Sequence, residues 1–501
     1  MRFEGRVLVI GLGAVSRCAL PLLFKHLGAP PERYTIIDGA ENGPVAEAAR
    51  GAREAGAAFL RETVTRENLG KLLAAHVGPG DLIVDLSVNV GSADMVRFCH
   101  DCGLLYVNTS IETWPGQADG PDRPAAGRAL YPVHMAIRRL AAEWGAHRGP
   151  TAVLDHGANP GLVSHFAKVG LEDLAAKWLA GHPPGERREL IQDARDRRAW
   201  NHLAMRLGVK VIHISERDTQ VMELPKEARE FVNTWSAEAF YAECHAPVEM
   251  GWGTHERTLP LRAFSYRRGP RNQICLDAPG FNTRVRSWVP SGEMVGFVVP
   301  HSEAFTISEH LTVRENGRAR YRPTVHFAYR PCDSALASLF ELHLRNDHLE
   351  FRPRVLADEI VAGRDELGCL LMGHDYQAWW TGSVLDIEEA RRLAPHQNAT
   401  TLQVACSVVA AALWATGNRD RGVCVPEDLP HQEILVQARP YLGKFISEQV
   451  NWTPLDNWRD AHVTDGATRP GDEDVWQFNT FLLGGRGEPS PDGQLPAAGG
   501  G

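Results

Sequence analysis

Several segments of this 501-residue chain place carboxylates beside aromatic or histidine side chains with little helical or strand periodicity: Glu216 and Asp218, Trp235 through Glu238 to Glu243, His301 and Glu303, and Asp365 with Glu366. Carboxylates suit a cationic ligand. An indole face attracts a cation within about 6 Å, by roughly 0.5 to 2 kcal/mol, without becoming a competing base. A histidine that titrates near neutrality moves protons. Taken singly, each has a plainer explanation: a core tryptophan, a surface pair of Glu216 with Arg217, a loop histidine. Sequence alone does not bring them together.

A second chemistry sits at the start. Residues 6–10 are a β-branched run that ends at Gly11-Leu12-Gly13 and opens into a helical pattern from Ala14. This is strand, glycine turn, helix. Such a turn lets the backbone N–H groups of Gly13, Ala14 and Val15 meet a pyrophosphate at a helix N-terminus. Ser16 holds the third glycine position of the usual pattern and is still small enough for close helix packing. Asp38, 25 residues after Gly13 at the end of a second strand, is placed to accept hydrogen bonds from ribose hydroxyls. It would repel a 2′-phosphate, so the cofactor expected is NAD rather than NADP.

The elements that must position these residues read as an α/β protein. Strands are expected at 34–37, 81–86, 104–107 and 151–154, alternating with helices, which implies a doubly wound parallel Rossmann sheet over 1–158. Over 159–386 aromatic residues thicken, and strands at 295–299 and 324–329 predict a second, α+β substrate domain with a mixed sheet. Residues 387–483 read as a C-terminal helical segment, with 387–414 as helix, packing back on the core or forming a subunit contact. The Gly- and Pro-rich stretch 484–501 reads as a disordered tail.

Composition narrows the class. At 44% hydrophobic and 23% charged residues, the chain resembles an ordinary globular enzyme. A net charge of −9 argues against a nucleic-acid partner. No apolar run of roughly 18 to 20 residues suggests a membrane span, and the chain begins almost directly with a strand, so a cytoplasmic protein is expected. The nine cysteines are scattered and odd in number, as reduced thiols are. Cys99 and Cys102 lack the second ligand pair a structural zinc site needs, and no metal is expected.

Longer segments then carry a resemblance. Residues 156–164 (His-Gly-Ala-Asn-Pro-Gly-Leu-Val-Ser), 231–238, 251–254, 282–288, 365–368 and 395–400 (Pro-His-Gln-Asn-Ala-Thr) are similar to segments of the bacterial homospermidine synthases, and the similarity runs from Gly11 to about Phe478. It implies a Rossmann domain of the saccharopine-reductase type, a homodimer and NAD kept as a prosthetic group. The implied reaction oxidises putrescine to an imine. Ammonia leaves as a second putrescine attacks, and the Schiff base recovers the hydride to give homospermidine; spermidine as donor would release 1,3-diaminopropane. By the same resemblance Trp235, Glu243, His301 and Asn159 are catalytic, and Glu216, Asp365, Glu303, Glu112 and Asn89 face substrate. Ser87, Val88, Thr109 and Asn159 join the glycine turn around NAD. Asn89 departs from the family, where an aspartate is expected.

Two other readings stand beside this one. A saccharopine- or carboxyspermidine-type dehydrogenase would bind a carboxylated substrate and should offer arginine or lysine in its pocket. A non-catalytic NAD-binding polyamine sensor would share the fold and the binding residues.

Overall fold

The computed structural model describes residues 2–117, 124–145, 148–345, 352–462 and 468–484. Val7–Ile10 is buried along its whole length and pairs in parallel with Tyr34–Asp38 on one side and Leu82–Asp85 on the other. Val7 and Val9 enter one core, Leu8 and Ile10 the other, which is why this strand reads as a continuous apolar run rather than an alternation. The full sheet has seven parallel strands in the order Ala58–Arg61, Tyr34–Asp38, Val7–Ile10, Leu82–Asp85, Leu105–Asn108, Ala152–Val153, Val423–Cys424. Strand order reverses between Val7–Ile10 and Leu82–Asp85, and the crevice at their carboxyl ends is where a doubly wound sheet binds its ligand.

The second sheet is mixed and has eleven strands. Val211–Asp218 runs through it, parallel to Thr324–Arg330 and antiparallel to Arg364–His374. Arg364–His374 returns as Gln377–Asp386, whose outer edge takes Lys444–Val450. The antiparallel pairing sets the start of one strand against the end of another, so Asp365 lies opposite Asp218 and Leu367 opposite Glu216. Acidic residues about 150 positions apart in sequence are thereby gathered at one end of the sheet.

Three expectations need correction. The helical reading of 387–483 missed three strands, Val423–Cys424, Lys444–Val450 and Leu482–Leu483, which join the two large sheets. The helix expected over 387–414 is two, Ile387–Leu393 and Ala399–Gly417, because Pro395 interrupts the pattern and Asn398 starts afresh by accepting a hydrogen bond from the N–H of Thr401. Ala399–Gly417 is also long and apolar enough to cross a membrane, which the scattered Thr, Gln and Ser residues hid. It is mostly buried, packed on Ala14–Leu27 and Leu105–Asn108. The tail expected to be disordered lies, from 485 on, outside the described residues. All nine cysteines are free, eight of them buried.

Candidate active site

The crevice above the first sheet opens into a cavity of about 460 Å³ that extends under the second. On the first side it is lined by the glycine turn. Gly11 has a φ of +85°, and a Cβ there would lie 2.9 Å from the carbonyl oxygen of Leu86, so the turn and the next loop can approach only with glycine. Around Gly13 a Cβ would meet nothing within 4 Å, leaving open space against the N-terminus of helix Ala14–Leu27. That N-terminus has no side-chain cap and no acidic residue in its first turn. Its N–H groups are those an anionic pyrophosphate would satisfy. Asp38 ends the second strand with its carboxylate held by the N–H groups of Leu12 (2.6 Å) and Ala40 (2.7 Å), on the cavity wall. Ser87, Val88 and Thr109 complete this side. The Ser87 loop is tied down by Asp85, which accepts hydrogen bonds from the hydroxyls of Ser87 (2.5 Å) and Tyr106 (2.9 Å). The donor set and the open space fit a dinucleotide.

On the far side the cavity is acidic. The loop 157–161, closed by a 2.7 Å bond from the N–H of Gly157 to the carbonyl of Pro160, carries Asn159, whose amide donates to Glu216 at 2.5 Å. Burial, and the neighbouring charge of Asp218, hold the Glu216 carboxyl above the usual range although Asn159 pulls the other way. Glu112 follows the fifth strand and is pushed up to about 7, chiefly by burial. Trp235 stands just before helix Ala237–His245, whose N-cap Ser236 accepts from the N–H of Ala239. The same helix carries Glu243. His301 caps the next helix, Ser302–His310, and its ring nitrogens lie 3.3 Å from Glu243 and 3.2 Å from Glu303. Burial would lower its pKa, but the two carboxylates outweigh this and raise it well above the ordinary value. The geometry thus sets the His301 ring between two carboxylates, which favour its charged form.

Gly11, Gly13, Ala14, Val15, Asp38, Ser87, Val88, Thr109, Glu112, Asn159, Glu216, Trp235, Glu243 and His301 all line this one cavity. Four expected site residues do not. Ser16 is 1% exposed with an unpartnered hydroxyl, packed between helix and sheet. Asn89 is exposed at a φ of +64°, between the lining residues Val88 and Val90. Glu303 lies behind His301. Asp365 lies behind the wall too, taking a 2.6 Å hydrogen bond from Thr400, and burial with the charges of Glu216 and Asp218 raises its pKa. Sequence reasoning passed over Phe327, Tyr329 and Thr400, which do line the cavity. The alternation of Phe327 and Tyr329 on one face of an expected strand was the available signal.

Residues 7–153 match the family model for the saccharopine dehydrogenase NADP binding domain, and 157–450 that for the saccharopine dehydrogenase C-terminal domain. A homospermidine synthase of Blastochloris viridis is 41% identical over 489 residues, 96% of this chain and 98% of that protein. The chain belongs to the homospermidine synthase family. The homospermidine synthase of Mesorhizobium japonicum is 39% identical over 486 residues, covering 96% of each chain. A crystal structure of the homospermidine synthase of Legionella pneumophila in complex with NAD superposes with a TM-score of 0.82 at 36% identity, over 97% of this chain and 99% of that one. This chain is thus an enzyme of that family, built on a dinucleotide-binding sheet and a second mixed sheet.

Proposed function

We propose that the protein transfers a 4-aminobutyl group from putrescine, or from spermidine, to putrescine, forming homospermidine without net oxidation. One observation carries this reading. The cavity wall holds Asp38, Glu62, Glu112, Glu216, Glu238 and Glu243, and among the described residues no lysine or arginine lines it. A carboxylated substrate of the saccharopine type would add charge of the same sign to this wall at high cost, whereas each of the two ammonium groups of a diamine finds a carboxylate there.

The glycine turn and Asp38 would hold NAD by its pyrophosphate and ribose, and NAD would supply the hydride acceptor and donor that let the aminomethyl carbon of the donor be oxidised and the Schiff base be reduced without net oxidation. The chain's own residues manage charge. Glu216 and Glu112 resist ionising in the site without substrate, and an arriving ammonium lets each ionise as it is paired, so charges enter the low-dielectric cavity together. An ammonium at Glu243 competes with the His301 imidazolium, lowers its hold on its proton and frees it to pass protons between amine and leaving ammonia. The Trp235 face stabilises the cationic imine without reacting with it. Asp365 and Glu303 act from behind through Thr400 and His301. Residues 1–158 serve as the cofactor unit and 159–386 as the substrate unit, with 387–483 adding strands to both; the enzyme works as a cytoplasmic homodimer. Incubation with putrescine and catalytic NAD, followed by analysis of the polyamines, tests the reading: homospermidine and ammonia in equal amounts support it, and NADH released in step with putrescine consumed sinks it.

A further inference from the structure

We infer that Tyr329 is a positioning residue for this reaction, its hydroxyl fixing the plane in which Trp235 presents its indole face; the inference rests on the functional reading above. Trp235 sits in the turn before its helix, half-buried, and the terminal torsion of a tryptophan is soft and broad. Its only polar atom, Nε1, donates to the hydroxyl of Tyr329 at 3.2 Å. That acceptor is itself immobile. Tyr329 is 1% exposed, stacked on Phe327 with ring centroids 5.1 Å apart and planes 10° from parallel, and met edge-on by Phe240 at 5.9 Å.

The same strand reaches the other half of the site. Phe327, two residues before Tyr329 and on the same face, packs against the His301 ring at 4.4 Å. Tyr329 is also the register partner of Glu216 across the parallel pair Val211–Asp218 and Thr324–Arg330. One strand therefore sets the spacing between imidazole, indole and carboxylate. The hydroxyl of Tyr329 is the part of this arrangement that can be removed without changing shape.

The test is a double-mutant cycle of Tyr329→Phe and Trp235→Phe in the NAD-loaded enzyme, read in kcat and KM for putrescine. Tyr329→Phe alone should lower kcat by about fivefold, the worth of one neutral hydrogen bond, with KM and melting temperature nearly level. In the Trp235→Phe background, which has no indole N–H to hold, the same change should have no further effect. Full additivity would show that Tyr329 acts on substrate itself and would overturn the inference, as would an unchanged kcat in Tyr329→Phe. A second readout needs no turnover. With ¹⁵N-labelled tryptophan, the indole resonance missing from Trp235→Phe is assigned to Trp235, and it should shift and exchange faster with solvent in Tyr329→Phe. A resonance that stays in place refutes the positioning role even if the protein makes no homospermidine, whereas a shifted resonance without product sinks only the functional reading.

Discussion

Replacing Gly11 and Gly13 separately with alanine separates two physical roles of the glycine turn. At Gly11 the left-handed φ of +85° costs a non-glycine residue roughly 1 to 3 kcal/mol, and the new Cβ would meet backbone, 2.9 Å from Leu86 O and 3.0 Å from Ser87 N. No rotamer relieves that contact. Gly11→Ala should therefore lose about 2 to 4 kcal/mol of stability in cofactor-stripped protein. At Gly13 φ is −71° and a Cβ has open space, so Gly13→Ala should unfold within about 1 °C of the unmodified protein. Its methyl group would instead occupy the open space against the helix N-terminus that the proposed reading gives to the pyrophosphate. Displacing even one charge-assisted hydrogen bond there should weaken NAD binding by about tenfold or more. Calorimetric melting of stripped protein and titration with NAD read the two effects. A Gly13→Ala protein that binds NAD as tightly as the unmodified one would refute the placement of the cofactor.

Other perturbations address single groups. Asp38→Ala should weaken NAD binding and narrow the gap to NADP, and equal activity of the unmodified enzyme with NADP would remove the ribose assignment. Trp235→Phe and Trp235→Leu should lose activity in that order at level melting temperature, the leucine variant by about thirtyfold for a cation–π contact of roughly 2 kcal/mol; equal activities would make Trp235 a packing residue. The raised His301 pKa stabilises the fold fully below about pH 6.5 and ceases to do so as pH rises through the folded value. The melting-temperature gap between Glu303→Gln and unmodified protein should thus be widest near about pH 6 and narrow toward alkaline pH, and a gap that widens instead contradicts the imidazolium.

The cofactor half of the site was legible because its signals are local. A β-branched run, two glycines and an acid at the end of the next strand lie within 38 residues, and each acts through backbone geometry. Ala58–Arg61 escaped notice because an edge strand is half exposed and lacks the continuous apolar run of its neighbours. Val423–Cys424 is two residues long and leaves no period to read. The acidic half depends on pairings across about 150 residues, Asp218 with Asp365 above all, so its members were suggested by resemblance rather than by pattern. Which of them touch the cavity was set by strand register and helix entry. Glu243 and Glu216 reach it, while Glu303 and Asp365 stand one layer behind, and Tyr329 faces it from a strand whose inward face the sequence left open.

The central claim is that the hydride removed from the donor returns to the same molecule while the cofactor stays in place. Putrescine deuterated at both aminomethyl carbons, mixed with unlabelled putrescine and catalytic NAD, tests it directly by mass spectrometry of the product. Every homospermidine should then be built from units that keep their full label or none, with no rise in free NADH. Products short of, or enriched by, a single deuterium would show hydride exchanging between turnovers or lost from the site, and would contradict the account.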